Sequence, residues 1–268
     1  SIVLSYTAYL NESAAPKISK RGFENKVRVN FSNDPQNESK GQSPWDCVVC
    51  YTYQLNGLKS NEKNVKLKGA TFKMYRDAAM RDQVKMKKTD SGYVVTDGQS
   101  EDIVSNENGE FEIYGLDQGT YYLKETKAPD SFYNGSEEKS VTLTYAGQNK
   151  EVVFADVTFN NERQKADVSV VKQDKDTKKP LKGGIFALYA SDDIRNADGS
   201  VVVKKGTLIE KVTTGADGTA KFTADLPIGY SYFVKEDQAP EGYVRNTEDV
   251  YTFKFSYTND KEATVSFA

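Results

Sequence analysis

Short segments of alternating apolar and polar residues follow one another along almost the whole chain. Within a segment, every second residue is usually aliphatic or aromatic, and Gly, Asn, Asp or Pro separates it from the next. A period of two residues is that of a half-buried β-strand, because successive side chains point to opposite faces of a sheet. The pattern therefore predicts an all-β chain of β-sandwiches. Residues 76–85 (RDAAMRDQVK) are the best candidate for a short helix.

An internal repeat divides the chain. LKGATFKMY at 67–75 returns as LKGGIFALY at 181–189, and YYLKETKAP at 121–129 returns as YFVKEDQAP at 232–240. Repeated segments in the same order indicate two copies of one module. We expect a piece of a longer protein with four parts: the last strands of a preceding module at 1–34, a polar linker at 35–43, one module at 44–164, and a second at 165–268 that lacks its last strand.

The alternation places a glutamate among apolar residues in both modules. In YYLKETKAP, Glu125 shares a face with Tyr121 and Leu123, and Glu236 has the equivalent position 111 residues later. A lysine on the first strand of each module also has apolar-face parity. Lys59 precedes Glu125 by 66 residues, and the lysine of the second module precedes Glu236 by 64. Each module therefore directs one lysine and one glutamate to its interior.

The first module adds Asn161, which has the parity of Val157 and Phe159 on its last strand. Buried unpaired charges are costly, so the interior lysine, glutamate and asparagine must meet or reach water. One outcome is an ion pair with an amide neighbour. The other is chemical: a desolvated lysine loses its proton more easily, and its neutral amine attacks the amide carbonyl while the carboxyl transfers protons. Ammonia leaves and an isopeptide bond remains, in a single turnover rather than an enzymatic cycle.

Several segments resemble one family. YYLKETKAP and YFVKEDQAPEGY resemble the E-box of CnaB-type (SpaA-like) pilin and adhesin domains of Gram-positive bacteria. LKGATFKMY and DKDTKKPLKGGIFALYA resemble the region that follows the reactive lysine of that family. NKVRVNFSNDP followed by SPWDCVVCYTYQLNGLK resembles the junction between the last two domains of a major (backbone) pilin. The resemblance covers nearly the whole chain and implies Ig-like β-sandwiches with an isopeptide bond between first and last strands.

The resemblance also implies roles for individual residues. Lys59 would be the nucleophile of the first module, Glu125 its catalytic acid and Asn161 its acceptor. Lys172 and Glu236 would take the first two roles in the second module. The first E-box departs from the family pattern, because APDSFYNG replaces the usual A-P-x-G-Y, so the geometry of that turn is open.

Two acceptors are less simply placed. The acceptor of the second module is expected just past Ala268, and Asn259 is a poor substitute because YTND has turn chemistry. Asn25 has the parity of Val27 and Val29; it is either the acceptor of the preceding module, with its lysine outside these residues, or a plain structural asparagine. For the first module, Lys66 or Lys68 is the alternative to Lys59, which would then be an ordinary strand-end lysine.

Composition restricts the chemistry further. The chain has no histidine, which excludes Ser-His-Asp and Cys-His catalysis and histidine metal sites, and we expect neither a cofactor nor a metal. Cys47 and Cys50 lie three apart on a predicted strand and face opposite sides, so we expect two ordinary free thiols, typically buried, rather than a redox pair. A net charge of −3 does not indicate a nucleic-acid partner, and no run of 18 apolar residues spans a membrane.

Three functions compete. The first is a structural shaft or stalk subunit of a sortase-assembled pilus or fibrillar adhesin, anchored to the cell wall outside the cell and covalently linked to other pilin subunits. The second is an adhesin module that binds a host protein or glycan at the host surface or matrix. The third, a hydrolase, is weakest because no catalytic carboxylate pair is apparent.

Overall fold

The computed structural model describes residues 22–34, 36, 40–145, 147, 154–196 and 198–268. All regular secondary structure in these ranges consists of β-strands, as the alternation predicts. Contacts divide the described chain into two units, one formed by residues up to 129 with 136–160, the other by 130–135 with 161–268. No segment of the described chain forms a helix with the length and hydrophobicity needed to span a lipid bilayer.

The described chain begins with two short hairpin-like ribbons. Their strands are β1 (Phe23–Val27), β2 (Asn30–Ser32), β3 (Lys40–Gln42) and β4 (Asp46–Cys50). β1 pairs antiparallel with β4, and β2 pairs antiparallel with β3. The segment NKVRVNF is thus divided between two strands, and β3 lies inside the expected linker. Residues 1–21 of the expected preceding module, and 35 and 37–39 of that linker, lie outside the described residues.

Ten strands form the first sandwich: β5 (Tyr53–Asn61), β6 (Thr71–Tyr75), β7 (Met86–Thr89), β8 (Gly92–Val95), β9 (Ile103–Val104), β10 (Glu110–Leu116), β11 (Gly119–Lys127), β12 (Phe132–Tyr133), β13 (Glu138–Leu143) and β14 (Ala155–Arg163). One sheet has the order β12-β14-β5-β10-β8-β7, and the facing sheet has the order β13-β11-β6-β9. The first and last long strands, β5 and β14, are therefore neighbours.

Aromatic side chains from both sheets fill the core of the first sandwich. Phe72 of β6 packs with its ring centroid 4.8 Å from that of Phe111 on β10 and 4.8 Å from that of Phe159 on β14. Gly57 of β5 makes room for this cluster, since a Cβ there would lie 2.0 Å from the ring of Phe111. Gly57 therefore faces the interior, where the absence of a side chain allows the Phe111 ring to pack against its backbone.

The second sandwich repeats this plan with nine strands: β15 (Lys165–Val171), β16 (Ile185–Ala190), β17 (Ile194–Arg195), β18 (Val201–Val203), β19 (Leu208–Thr213), β20 (Thr219–Lys221), β21 (Ser231–Gln238), β22 (Val250–Lys254) and β23 (Thr264–Phe267). Its main sheets have the orders β20-β15-β23 and β19-β16-β21-β22. β23 pairs parallel with β15, from Lys165 opposite Thr264 to Val168 opposite Phe267. A second core lies between the sheets and includes Val168, Tyr232 and Phe253.

The helix predicted at 76–85 is wrong. The segment forms turns between β6 and β7, because the Asp77 carboxylate accepts hydrogen bonds from the backbone N–H groups of Arg81 and Asp82. Met80 has a left-handed backbone with φ of 55°, which a right-handed helix does not allow. A local aspartate cap therefore prevails over the helix-forming alanines.

Candidate functional site

A lysine and a glutamate from facing sheets meet inside the first sandwich. Lys59 lies on β5, and Glu125 lies on β11. The Lys59 Nζ atom is 3.3 Å from Glu125 Oε1 and 3.4 Å from Oε2, and neither side chain has any solvent exposure. Lys59 Nζ also lies 6.0 Å from the ring centroid of Phe159. The pair is thus enclosed by the apolar core.

Burial lowers the pKa of the Lys59 amine below its ordinary value of 10.5, because the charged form is poorly solvated there. The negative charge of Glu125 acts in the opposite direction and limits the decrease, as does the more distant Glu137. The positive charge of Lys139 adds a small lowering effect. The amine is therefore easier to convert to its neutral, nucleophilic form than a surface lysine.

Two side-chain contacts define how the last strand of the first sandwich lies beside the first. Asn56 of β5 donates a hydrogen bond to Asp156 of β14 over 3.0 Å, and Ser60 of β5 donates one to Asn160 of β14 over 2.6 Å. The residue numbers rise together, so β5 and β14 run in the same direction. β23 has the same parallel relation to β15 in the second sandwich, so the second module has a strand at the position where we expected its last strand to be missing.

The two adjacent asparagines of β14 differ in environment. Asn160 is exposed. Asn161 is only 3% exposed, and its Nδ2 donates to the backbone carbonyl of Tyr133 over 2.9 Å. Asn161 lies two residues beyond Phe159, whose ring centroid is 6.0 Å from the Lys59 amine, and has the same strand parity. The buried carboxamide therefore has the strand parity of Phe159, and its strand β14 is the neighbour of β5 in the sheet.

The second sandwich contains an equivalent charged pair. Lys172 follows directly after β15, and its Nζ lies 2.9 Å from Oε1 of Glu236 on β21. The backbone N–H of Asn246 donates to the other carboxylate oxygen over 3.0 Å. The Lys172 side chain is 22% exposed, and the pair borders a cavity of about 520 Å³. This pair is more open to solvent than the pair of the first sandwich.

Comparison with known proteins follows the same division of the chain. The model of the SpaA prealbumin-like fold domain matches residues 54–158 and again residues 166–267. The chain belongs to this family. Each sandwich is thus one SpaA domain, and each charged pair joins the first strand region of its domain to the strand of the E-box.

This chain matches parts of larger known proteins. A collagen adhesin from Staphylococcus aureus is 33% identical over 176 residues, which are 60% of this chain and 14% of that adhesin. The Bacillus anthracis TIE protein has a similar structure, with a TM-score of 0.51 and 22% identity over 91% of this chain and 40% of that chain. A streptococcal ancillary pilin aligns with a TM-score of 0.38 and 23% identity over 80% of this chain and 61% of that chain. The Bacillus structure supports the fold of this chain as tandem β-sandwiches.

The turn after the E-box of the first SpaA domain has an unusual sequence, but its backbone is left-handed at the same position as in the second domain. Ser131 occupies the position of Gly242 in the repeat, and both are left-handed, with φ of 77° and 82°. Glycine adopts this region freely, whereas a residue with a Cβ is strained there. The departure from A-P-x-G-Y thus changes the residue but not the turn conformation.

The alternative lysines of the first domain lie on the surface. Lys66 pairs with Glu110 over 3.1 Å, and Lys68 forms an ion pair with Glu107. Their side chains are 52% and 63% exposed. Lys59 is therefore the lysine that the fold brings to Glu125.

The remaining predicted residues lie in the ribbon before the first SpaA domain. Asn25 is exposed on β1, opposite Val48 of β4, and its role as an acceptor stays a prediction. Cys47 and Cys50 are both free thiols, as expected, but both are exposed rather than buried. The ribbon of β1 and β4 does not enclose them. Within the described residues, no cluster of three or more metal-binding side chains occurs.

Sequence reasoning did not identify the residues that hold the neighbouring strands in place beside the pair. Ser60 and Asn160 bond to each other on the face opposite Lys59, and Glu137 precedes β13 and bonds to the backbone of Asn160. Ser60 and Asn160 have the parity of solvent-facing residues, and Glu137 lies outside any apolar alternation. The only available signal was the position of Ser60 and Asn160 directly beside Lys59 and Asn161.

Proposed function

We propose that the first SpaA domain joins Lys59 to Asn161 by a self-catalysed isopeptide bond. The observation that carries this proposal is the Lys59–Glu125 pair, which has no solvent exposure and lies in an apolar core. The strand that carries Asn161 is the direct neighbour of the strand that carries Lys59. A buried pair of this kind contributes little net stability, so its presence in the core favours a chemical role.

The reaction balances without a cofactor. The Lys59 ammonium transfers one proton to Glu125, and the resulting neutral amine attacks Cγ of Asn161, so that a C–N bond forms. The attacking nitrogen gives up a second proton, the Cγ–Nδ2 bond breaks, and the leaving nitrogen takes up both protons, one of them from Glu125, and departs as an ammonium ion. Glu125 returns to its starting state, while Lys59 and Asn161 are consumed. The domain is therefore its own single-turnover catalyst and not an enzyme.

Fixed proximity makes this uncommon aminolysis feasible, because the fold replaces a bimolecular encounter by a held geometry. The product closes a chain segment between residues 59 and 161. By analogy with a disulfide, closing a loop of about 100 residues stabilises the fold by roughly 4–5 kcal/mol through the unfolded state. Lys172 and Glu236 have the corresponding roles in the second SpaA domain.

Peptide mapping tests the bond itself. Proteolysis of the folded and then denatured chain is expected to yield a branched peptide that contains Lys59 and Asn161 and lacks the elements of one ammonia. Fragmentation of this peptide locates the linkage. Recovery of both residues only in separate, unmodified linear peptides contradicts the proposal.

We infer further that the chain is a stalk segment of an extracellular fibre of a Gram-positive cell, anchored to the wall and joined to other subunits by sortase. Support comes from membership of the SpaA family and from a relative that is a collagen adhesin by name. A bond between first and last strands carries tension past the hydrogen-bonded ladders. Single-molecule pulling is expected to show no extension of the segment between residues 59 and 161, whereas the Asn161→Ala variant extends.

A matrix-binding role is the second candidate, and it rests on the 33% identity to the collagen adhesin. The chain spans only 14% of that adhesin, so the binding region of the adhesin need not be the part shared here. Surface plasmon resonance against immobilised collagen separates the two roles. Saturable binding by this chain supports the adhesin role, and no binding supports the stalk role.

A further inference from the structure

Glu137 connects the two sheets beside the reactive pair. Its backbone carbonyl accepts a hydrogen bond from the N–H of Glu125 over 3.4 Å. Its side-chain Oε2 accepts one from the backbone N–H of Asn160 over 3.1 Å. Its other carboxylate oxygen lies 2.6 Å from the ammonium of Lys139. One residue thus touches the strand of the carboxylate and the strand of the acceptor.

The Glu137 side chain bonds to Asn160 at a point of β14 that β12 is too short to reach. On that part of the sheet β12 pairs with β14 only at Glu162 and Arg163, so the ladder ends before Asn160. Beyond the end of this ladder, the Glu137 carboxylate accepts a hydrogen bond from the backbone N–H of Asn160. On the other edge of β14, the Ser60 hydroxyl holds the Asn160 side chain at 2.6 Å. Asn160 is therefore fixed through both backbone and side chain.

The residues next to these contacts are the proposed reactants. Ser60 follows Lys59 directly, and Asn160 precedes Asn161 directly. A shift of β14 by one residue would turn Asn161 to the outer face, because side chains alternate along a strand. Contacts that hold Asn160 therefore also hold the carboxamide of Asn161 on the interior face.

We propose that Glu137 is a positioning residue for the isopeptide bond, which holds the Asn161 strand in register through its hydrogen bond to Asn160. This inference rests on the proposed function. The hydrogen bond is the important property rather than the charge, because the carboxylate is partly exposed and already paired with Lys139. Glutamine keeps an acceptor oxygen and removes the charge, whereas alanine removes both.

The test compares Glu137→Ala, Glu137→Gln and the matched control Glu138→Ala. Glu138 is the next residue and pairs with Lys124 on the surface over 2.8 Å, away from Asn160. Each chain is made by cell-free translation, quenched in acid at intervals, and its intact mass is followed as ammonia is lost. Glu137→Ala is expected to react roughly tenfold more slowly, which is the upper end of the effect of losing one ordinary hydrogen bond. Glu137→Gln and Glu138→Ala are expected to react close to the parental rate.

Amide exchange gives an answer that does not depend on the bond. In the unreactive double variant Lys59→Met with Glu125→Leu, the exchange rate of the Asn160 amide is measured by NMR for the same three substitutions. Faster exchange in Glu137→Ala alone supports the contact. Equal rates of ammonia loss in Glu137→Ala and the parent overturn the inference, and so does a Glu137→Gln variant as slow as Glu137→Ala. If the parent loses no ammonia, the proposed bond fails, and unchanged exchange in Glu137→Ala then refutes the positioning contact as well.

Discussion

The amine of Lys59 lies 3.3 Å from the carboxylate of Glu125, across the interior of one β-sandwich and without contact to solvent. Removing two charges from water costs several kcal/mol per ion, and their attraction only partly offsets this. An apolar pair of similar size would stabilise the core at least as well. The arrangement is therefore better explained by reactivity of the amine than by the stability of an ion pair.

Replacing one member of this pair is expected to lower the free energy of unfolding more than replacing both. In the non-cross-linking Asn161→Ala background, Glu125→Gln leaves the Lys59 ammonium buried without its counter-charge and lowers the free energy of unfolding by about 3–5 kcal/mol. The double replacement Lys59→Met with Glu125→Leu is expected to recover most of this loss. Urea unfolding measures both values. A double variant as unstable as Glu125→Gln contradicts the account.

The lowered pKa of Lys59 predicts a pH dependence of stability before cross-linking. Between its folded pKa and the ordinary value of 10.5, the folded chain binds fewer protons than the unfolded chain, so the free energy of unfolding rises with pH in that window. Below the folded pKa this contribution is flat. Denaturant unfolding of Asn161→Ala is expected to show the rise, and Lys59→Met in the same background is expected to lack it. Identical pH profiles would argue against a desolvated amine.

The left-handed backbone at Ser131 predicts a stabilising substitution. Ser131→Gly removes the strain of a Cβ at φ of 77° and is expected to raise the free energy of unfolding by up to about 1 kcal/mol. Gly242→Ser introduces the same strain at the equivalent position and is expected to lower it. Thermal unfolding of the two variants provides the comparison, and a Ser131→Gly variant less stable than its parent contradicts the strain at this turn.

Gly57 is expected to tolerate no side chain. Gly57→Ala places a Cβ 2.0 Å from the Phe111 ring, and overpacking of this kind costs about 1–3 kcal/mol. Phe111→Leu in the same chain is expected to restore part of the loss, because it removes the ring atoms that clash. Gly98→Ala serves as the control, since its nearest neighbour is a threonine atom 3.6 Å away. Urea midpoints of these three variants, and of Phe111→Leu alone, test whether the losses are coupled as described.

Strand alternation predicted the fold and the meeting of Lys59 with Glu125 because both depend on side-chain parity. A period of two fixes which face a residue occupies, and the repeat shows that the same pairing occurs twice. Parity also predicts that Asn161 is buried and that its neighbour Asn160 is exposed. The helix at 76–85 was wrong because its outcome depended on one aspartate side chain capping a turn.

Glu137 illustrates what the sequence did not predict. Its contacts depend on how the chain turns between β12 and β13, and this turn is determined by tertiary packing rather than by local pattern. The exposure of the cysteines has a similar origin, because the burial of the ribbon of β1 and β4 depends on what packs against it. Properties that follow from strand parity were predictable, whereas those that depend on the turns between strands or on what packs against a strand were not.

The most direct test of the central claim is the intact mass of the folded chain beside three variants. The parent is expected to be lighter than its sequence mass by one ammonia from the first SpaA domain, and Asn160→Ala is expected to reach the same deficit. Asn161→Ala and Glu125→Ala are expected to have their full sequence masses. A parent chain at its full sequence mass, or a deficit that persists in Asn161→Ala, would contradict the Lys59–Asn161 bond.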